Sequence, residues 1–249
     1  GFRNYFDLRN GIDIFGKRVS EMVLDRVGRQ DRDEDYHSLN PWGMDVLKVG
    51  NSLGAGSLAL LKDNKLYRVG DNGDGRFELL YEGPLRSEFR FRFPDWKAGD
   101  ESYDLTHYIS ITAGDYAYRS SVYLSGDHRG VELVSGIVNM QSDKLVSLEE
   151  EGYHILLTHA KQAEDGAMLA MALVIPAGFF EGVDSTATAG EGINDTYYAR
   201  MNLKGEEGTR FWFYAMWETT DPAFAGQKNV LEVIRRDIRK RENPVLLKR

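Results

Sequence analysis

The sequence predicts an all-β, mainly antiparallel fold: a large curved β-sandwich with one helix near the C-terminus. Three observations carry this. Apolar and polar residues alternate with period two through much of the chain, as half-buried strands require. Turn clusters rich in Asp, Asn and Gly separate the alternating runs. The runs also follow one another without intervening helical patterns, which favours antiparallel pairing over βαβ units.

The clearest run is 86–93. Arg86, Glu88, Arg90 and Arg92 fall on one face, and Phe89, Phe91 and Phe93 on the other. In 103–112, Tyr103, Leu105, His107, Ile109 and Ile111 share a face opposite Asp104, Thr106, Tyr108, Ser110 and Thr112. Further strands are expected at 116–124, 131–140, 154–159, 168–175, 197–203 and 210–218. Asp63-Asn64, 71–75, 125–127 and 205–208 supply the turns between strands. Across Gln227–Glu242, Val230, Val233, Ile234 and Ile238 recur at helical spacing. Arg and Lys crowd the last turns, where cations suit the negative end of the helix dipole, and Pro244 stops the helix. The cluster Arg235, Arg236, Arg239, Lys240 and Arg241 reads as a solvated helix face. The charged run 29–35 reads as an exposed loop.

Composition bounds the function. The 249 residues are 42% hydrophobic and 28% charged, which suffices for a real core. Residues 1–249 are expected to form a single β-sandwich domain. A net charge of −8 argues against nucleic acid as the main partner, since phosphate binding needs concentrated Lys and Arg. There is no cysteine, so disulfides and thiolate chemistry are excluded. No stretch approaches the roughly 20 apolar residues of a membrane span, so no transmembrane segment is expected. The first residues, GFRNYFDLRNG, are strand-like rather than signal-like, and the expectation is a chain shortened at its N-terminus, its leader included.

The stretch 36–61, YHSLNPWGMDVLKVGNSLGAGSLALL, places Tyr36, His37, Trp42, Asp45 and Lys48 ahead of a glycine-rich turn. Scaffold-borne loops often carry reactive groups, and a histidine titrates near neutral pH. His37 is therefore the first candidate for proton transfer, although a loop histidine bonded to backbone fits the same sequence. Asp45 and Lys48 read either as an ion pair or as an acid and a cation facing substrate. His107, on an apolar strand face, reads as a core histidine or a substrate contact. His154 and His159 have opposite parity on one strand and cannot form a metal pair. His128 sits in a Gly-Asp-His-Arg-Gly turn. Three arginines on one strand face repel unless paired or bound to anions. The row Arg86, Glu88, Arg90 and Arg92 is thus either a salt-bridged outer face or a groove floor that holds carboxylates. Residues 71–75 resemble a calcium loop but lack its closing acid, and 50–56 lacks the Lys-Ser/Thr of a nucleotide loop. No Gly-x-Ser-x-Gly elbow is present. No metal site and no cofactor is expected.

Three blocks carry a resemblance: RNGIDIFGK at 9–17, YHSLNPWGMDVLKVGNSLGAGSLAL at 36–60 and GPLRSEFRF at 83–91. The chain resembles domain-of-unknown-function family 4861, through nearly its whole length. That family is typically met among exported proteins of polysaccharide-degrading gene clusters, often beside pectin-degrading enzymes. The resemblance implies carbohydrate work, a periplasmic or extracellular location, and a sandwich of the galactose-mutarotase type. It supplies no established catalytic residues.

Together these readings point to a lyase or glycoside hydrolase acting on an acidic oligosaccharide or polysaccharide that contains uronic acids. For β-elimination, His37 or Tyr36 serves as base or acid, and Lys48 or Arg86 neutralises the carboxylate. For hydrolysis, Asp45 and Glu88 form the carboxylate pair. Trp42, Trp96, Trp212 and Trp217 offer apolar platforms, with Arg86, Arg90, Arg92 and His107 as further contacts. A non-catalytic carbohydrate-binding domain and a sugar mutarotase or epimerase are the alternatives.

Overall fold

The computed structural model describes all residues except 24–25, 29–34, 71–73, 205–207 and 244–249. In chain order its strands are β1 (Phe2–Asn4), β2 (Ile12–Lys17), β3 (Gly43–Asp45), β4 (Ala55–Lys62), β5 (Lys65–Arg68), β6 (Arg76–Glu82), β7 (Arg86–Ala98) and β8 (Glu101–Thr112). They continue with β9 (Ala117–Ser125), β10 (Val131–Val138), β11 (Val146–Glu150), β12 (Tyr153–Ala160), β13 (Leu169–Pro176), β14 (Phe180–Ser185), β15 (Thr196–Met201) and β16 (Thr209–Trp217). One helix, α1 (Gln227–Glu242), follows a short 3-10 turn at Pro222–Ala225.

The strands build an eight-stranded sheet of order β11-β12-β13-β16-β9-β8-β7-β6 and a five-stranded sheet of order β14-β15-β10-β4-β5. A small sheet, β1-β2-β3, completes the fold. All pairings between these strands are antiparallel. The all-β sandwich with its C-terminal helix is therefore what the sequence led us to expect. Alternation explains the layering. Leu58, Leu60, Leu133 and Ile137 of the five-stranded sheet share one core with Met171, Leu173, Phe211 and Phe213 of the larger sheet. Each such fully buried side chain contributes on the order of 1.5–3 kcal/mol. The Asp63-Asn64 turn joins β4 to β5 with φ of 48° and 59°, the left-handed pair that a two-residue hairpin demands.

The larger sheet buries its outer face only in part. Val230, Ile234 and Ile238 of α1 pack on Ile155, Leu157, Val174, Tyr214 and Met216. The basic residues of α1 are paired as a solvated face would be: Arg235 forks onto Glu150 at 2.6 and 2.7 Å, and Arg239 reaches Glu151 at 3.5 Å. Beyond the helix, the outer face of β6–β9 is exposed.

The small sheet lies over the inner face. Phe2 meets the Tyr118 ring edge-on at 4.8 Å, Phe6 lies against Phe91 and Phe93, and Gly16 abuts Trp217. A Cβ at Gly16 would stand 2.4 Å from Trp217 Cε3 and 2.8 Å from Val46 Cγ1. Gly16→Val is expected to destabilise the protein by about 1–3 kcal/mol through overpacking. Chemical denaturation checks this, and an unchanged midpoint would contradict the docking of the small sheet.

Candidate active site

The small sheet gathers the titratable groups. Asp13 sits in the apolar run Ile-Asp-Ile-Phe of β2 and is fully buried. Its Oδ1 accepts from the Ile14 backbone N–H at 2.8 Å. Its Oδ2 accepts from the Tyr5 hydroxyl at 2.5 Å and from Arg3 at 2.8 Å. The same guanidinium donates to Asp45 at the end of β3, 3.4 Å away. Arg3 also lies over the rings of Tyr5, Phe15 and Tyr36, at 5.1, 4.8 and 5.4 Å from their centres. One arginine thus bridges two buried carboxylates inside an aromatic collar.

Burial sets the electrostatics. The Asp45 carboxyl is pushed up to about 7, first by loss of hydration and then by the charge of Asp13. Burial and the bond to Asp13 push the Tyr5 phenol up to about 12. Burial works against the charge on Arg3, but hydrogen bonds to Tyr36 and Tyr5 and the Asp13 carboxylate hold it above the ordinary arginine range.

His37 completes the arrangement from outside. Its side chain is 69% exposed, while Nδ1 stands 3.9 Å from Asp45 Oδ2. That is ion-pair distance, longer than a hydrogen bond; such contacts often tighten only when substrate is bound. The loop is held by backbone bonds. Asp45 N–H donates to the Tyr36 carbonyl at 2.8 Å, and His37 N–H to Asp35 at 2.9 Å. The His37 and Tyr36 rings are 4.3 Å apart. An exposed imidazole thus stands beside a buried carboxyl that exchanges its proton near neutral pH.

The structure thus brings together His37, Tyr36 and Asp45, and adds Arg3, Tyr5 and Asp13, which sequence reasoning missed. A charged residue within the apolar run at 12–15 was the available signal for Asp13. Lys48 does not join them. It is exposed beside a cavity of ≈ 10 Å³, room for hardly one water, and makes no ion pair with Asp45.

Arg86, Glu88, Arg90 and Arg92 lie elsewhere. Phe91 and Phe93 of the same strand touch Phe6 of the small sheet's side, so the alternate residues point to the far face. Asp45 and Glu88 consequently flank no common space. Arg86 pairs with Glu88, and Arg90 with Glu78. Trp42 is buried against Phe15, Trp96 and Trp217 are buried, and Trp212 is half-buried beneath Arg241, so no tryptophan offers an open platform. His107 is a core histidine. It is buried, bonded to Ser120, and held down at about 3 by burial. His154 lies on Phe180 and near Glu149, and His159 bonds the Phe224 carbonyl. Part of the 71–75 turn lies outside the described residues. Among the described residues, no three His, Asp or Glu side chains are grouped to hold a metal ion.

Comparison with known families decides the kinship. The profile of Domain of unknown function (DUF4861) matches residues 1–246. The chain belongs to this family. Within the curated proteins, this family member is similar to Uncharacterized protein P7 of Formosa agariphila, 27% identical over 121 residues, covering 48% of the chain and 30% of that protein. Among solved structures, it is similar to a ligand-free α-N-acetylgalactosaminidase of Bifidobacterium bifidum, with a TM-score of 0.42 and 12% identity over 74% of the chain and 33% of that enzyme. An α-galactosidase of Lactobacillus brevis gives 0.37 and 9% over 94% of the chain and 39% of that enzyme. The chain spans between 30% and 39% of the length of these relatives, and neither structural likeness assigns an activity. No helix among the described residues is long and apolar enough to cross a membrane.

Proposed function

We propose that this protein is an exported, carbohydrate-active enzyme that degrades acidic, uronic-acid-containing glycans by proton transfer at His37. The observation that carries this reading is the exposed His37 imidazole, 3.9 Å from a buried Asp45 carboxyl held at about 7. The family resemblance supplies the substrate class.

β-Elimination fits the residues better than two-carboxylate hydrolysis. Asp13 is fully buried and cannot touch a glycan, and Glu88 faces away. In the elimination, neutral His37 takes the proton from the carbon beside the substrate carboxylate. The electron pair forms the new C=C bond as the adjacent C–O bond to the leaving sugar breaks. The departing oxygen takes a proton from the Tyr36 hydroxyl, which sits beside the Arg3 guanidinium. Asp45 acts through His37, orienting it and stabilising the imidazolium once ionised.

The test is a screen of uronic-acid oligosaccharides for absorbance of a new C=C bond, with reducing-end release in parallel. Reducing ends without that absorbance would replace elimination by hydrolysis. Asp45→Asn then probes the positioning role. Turnover of the natural protein is expected to rise through about pH 7 as Asp45 ionises. Asp45→Asn should lower kcat about tenfold and flatten that limb, a change that lost packing alone does not produce. An unchanged pH profile would remove Asp45 from the mechanism.

A further inference from the structure

We propose that the exposed outer face of β6–β9 and the adjoining end of β16 is a second binding surface, which holds an anionic polysaccharide chain away from His37. It shares only the substrate class with the function proposed above. Register places the charges. Arg76 stands directly opposite Arg92, Arg90 lies between Glu78 and Tyr108, and Arg119 lies between Ser110 and Trp212. With Arg86 and Arg210, six arginines project from one face of a chain whose net charge is −8.

Two of them are neutralised locally, Arg86 by Glu88 and Arg90 by Glu78. Among the described residues, Arg76, Arg92, Arg119 and Arg210 make no ion pair with a carboxylate. Like charges directly opposite on neighbouring strands repel, so the Arg76–Arg92 pairing costs stability unless an anion lies across it. Partial burial, and after it the charges of Arg210 and Arg86, hold the Arg119 guanidinium below the ordinary arginine range, with Glu88 acting the other way. Guanidinium forks match carboxylates bidentately.

The surface between the charges suits sugar. Tyr108 and Tyr123 meet edge to face at 5.8 Å, and Thr106, Ser110 and Ser121 share their face and offer hydroxyls. Four strand intervals from β6 to β16 span roughly 19 Å, a strip wide enough for several rings. Phosphate polymers fit less well. Glu88 and Glu78 neutralise Arg86 and Arg90, which leaves separated cations in place of the continuous cationic track that a phosphate backbone needs.

Affinity electrophoresis with polygalacturonate, dextran and a single-stranded oligonucleotide tests this. Polygalacturonate is expected to retard the protein and dextran not to. The retardation should fade toward 1 M salt, where the screening length falls to about 3 Å. The double variant Arg92→Glu/Arg119→Glu should bind polygalacturonate at least about tenfold more weakly, a loss of roughly 1.4 kcal/mol. Should it melt early, Arg92→Gln/Arg119→Gln takes its place. The double variant should keep its turnover of a short uronic-acid oligosaccharide while losing the polymer, because neither exchanged residue lies at the His37 site. Four results would each overturn the proposal: no retardation by polygalacturonate, equal retardation by dextran, tighter binding of the oligonucleotide, or a folded double variant that binds normally. An equal loss of oligosaccharide turnover in the folded double variant would be a fifth, since it would merge the two sites.

Discussion

His37→Ala is expected to lower turnover of an acidic oligosaccharide by about 10²–10⁴-fold, the usual contribution of a positioned general acid or base. Stability should change little, because the ring is exposed and its contacts with Tyr36 and Asp45 are solvent-facing, and surface substitutions usually stay within about 0.5 kcal/mol. The geometry separates the two effects. The imidazole is 69% exposed, and the loop takes its shape from backbone bonds at Tyr36 and His37, which alanine retains. Added imidazole should restore part of the lost rate if only the proton carrier is missing. Near-full turnover in His37→Ala would reduce His37 to a loop histidine. His107, the next candidate from the sequence, could not then inherit the role, since it faces the core.

The fold was legible where one face of a strand is wet and the other dry. Residues 86–93 and 103–112 alternate so clearly that their two faces follow from the residues alone, whereas a bulge between Phe93 and Trp96 flips the alternation before β7 ends. α1 was legible to its ends, because its apolar spacing and terminal cations agree. The small sheet was not. β1 and β3 have three residues each, too few for alternation to show, and β2 is buried on both faces and so reads as a plain apolar run. That limit also hid half of the site. His37, Tyr36 and Asp45 stood out as neighbours in sequence, but Arg3, Tyr5 and Asp13 join them only through the pairing of β1 with β2 and of β2 with β3. The arginine row misled in a different way. Its composition correctly suggested a charged face, but no local pattern tells which side of a sheet another loop will cover.

Asp13→Ala is expected to be the most destabilising change in the site, by about 3 kcal/mol, toward the low end for breaking a buried charge pair because Arg3 is one-third exposed. Alanine leaves the Tyr5 hydroxyl, the Ile14 N–H and the Arg3 guanidinium without their shared acceptor. At 2–4 °C per kcal/mol for a chain of this size, the melting temperature should fall by roughly 6–12 °C. Asp13→Asn, which keeps an acceptor, should lose less and reveals the electrostatic role. The folded Asp45 carboxyl holds its proton to about pH 7, whereas the unfolded one releases it near 3.8. Between those values the folded state binds the extra proton, so this group's contribution to stability is full below about pH 4 and is lost as pH rises to 7. Removing the Asp13 charge brings Asp45 down toward the ordinary carboxylate range, and the window should narrow from its upper end. Melting curves from pH 4 to 8 read this directly. An Asp13→Asn protein with the same pH slope as the natural one would show that the two carboxylates do not sense each other, and a loss below 1 kcal/mol in Asp13→Ala would show that Arg3 does not depend on Asp13.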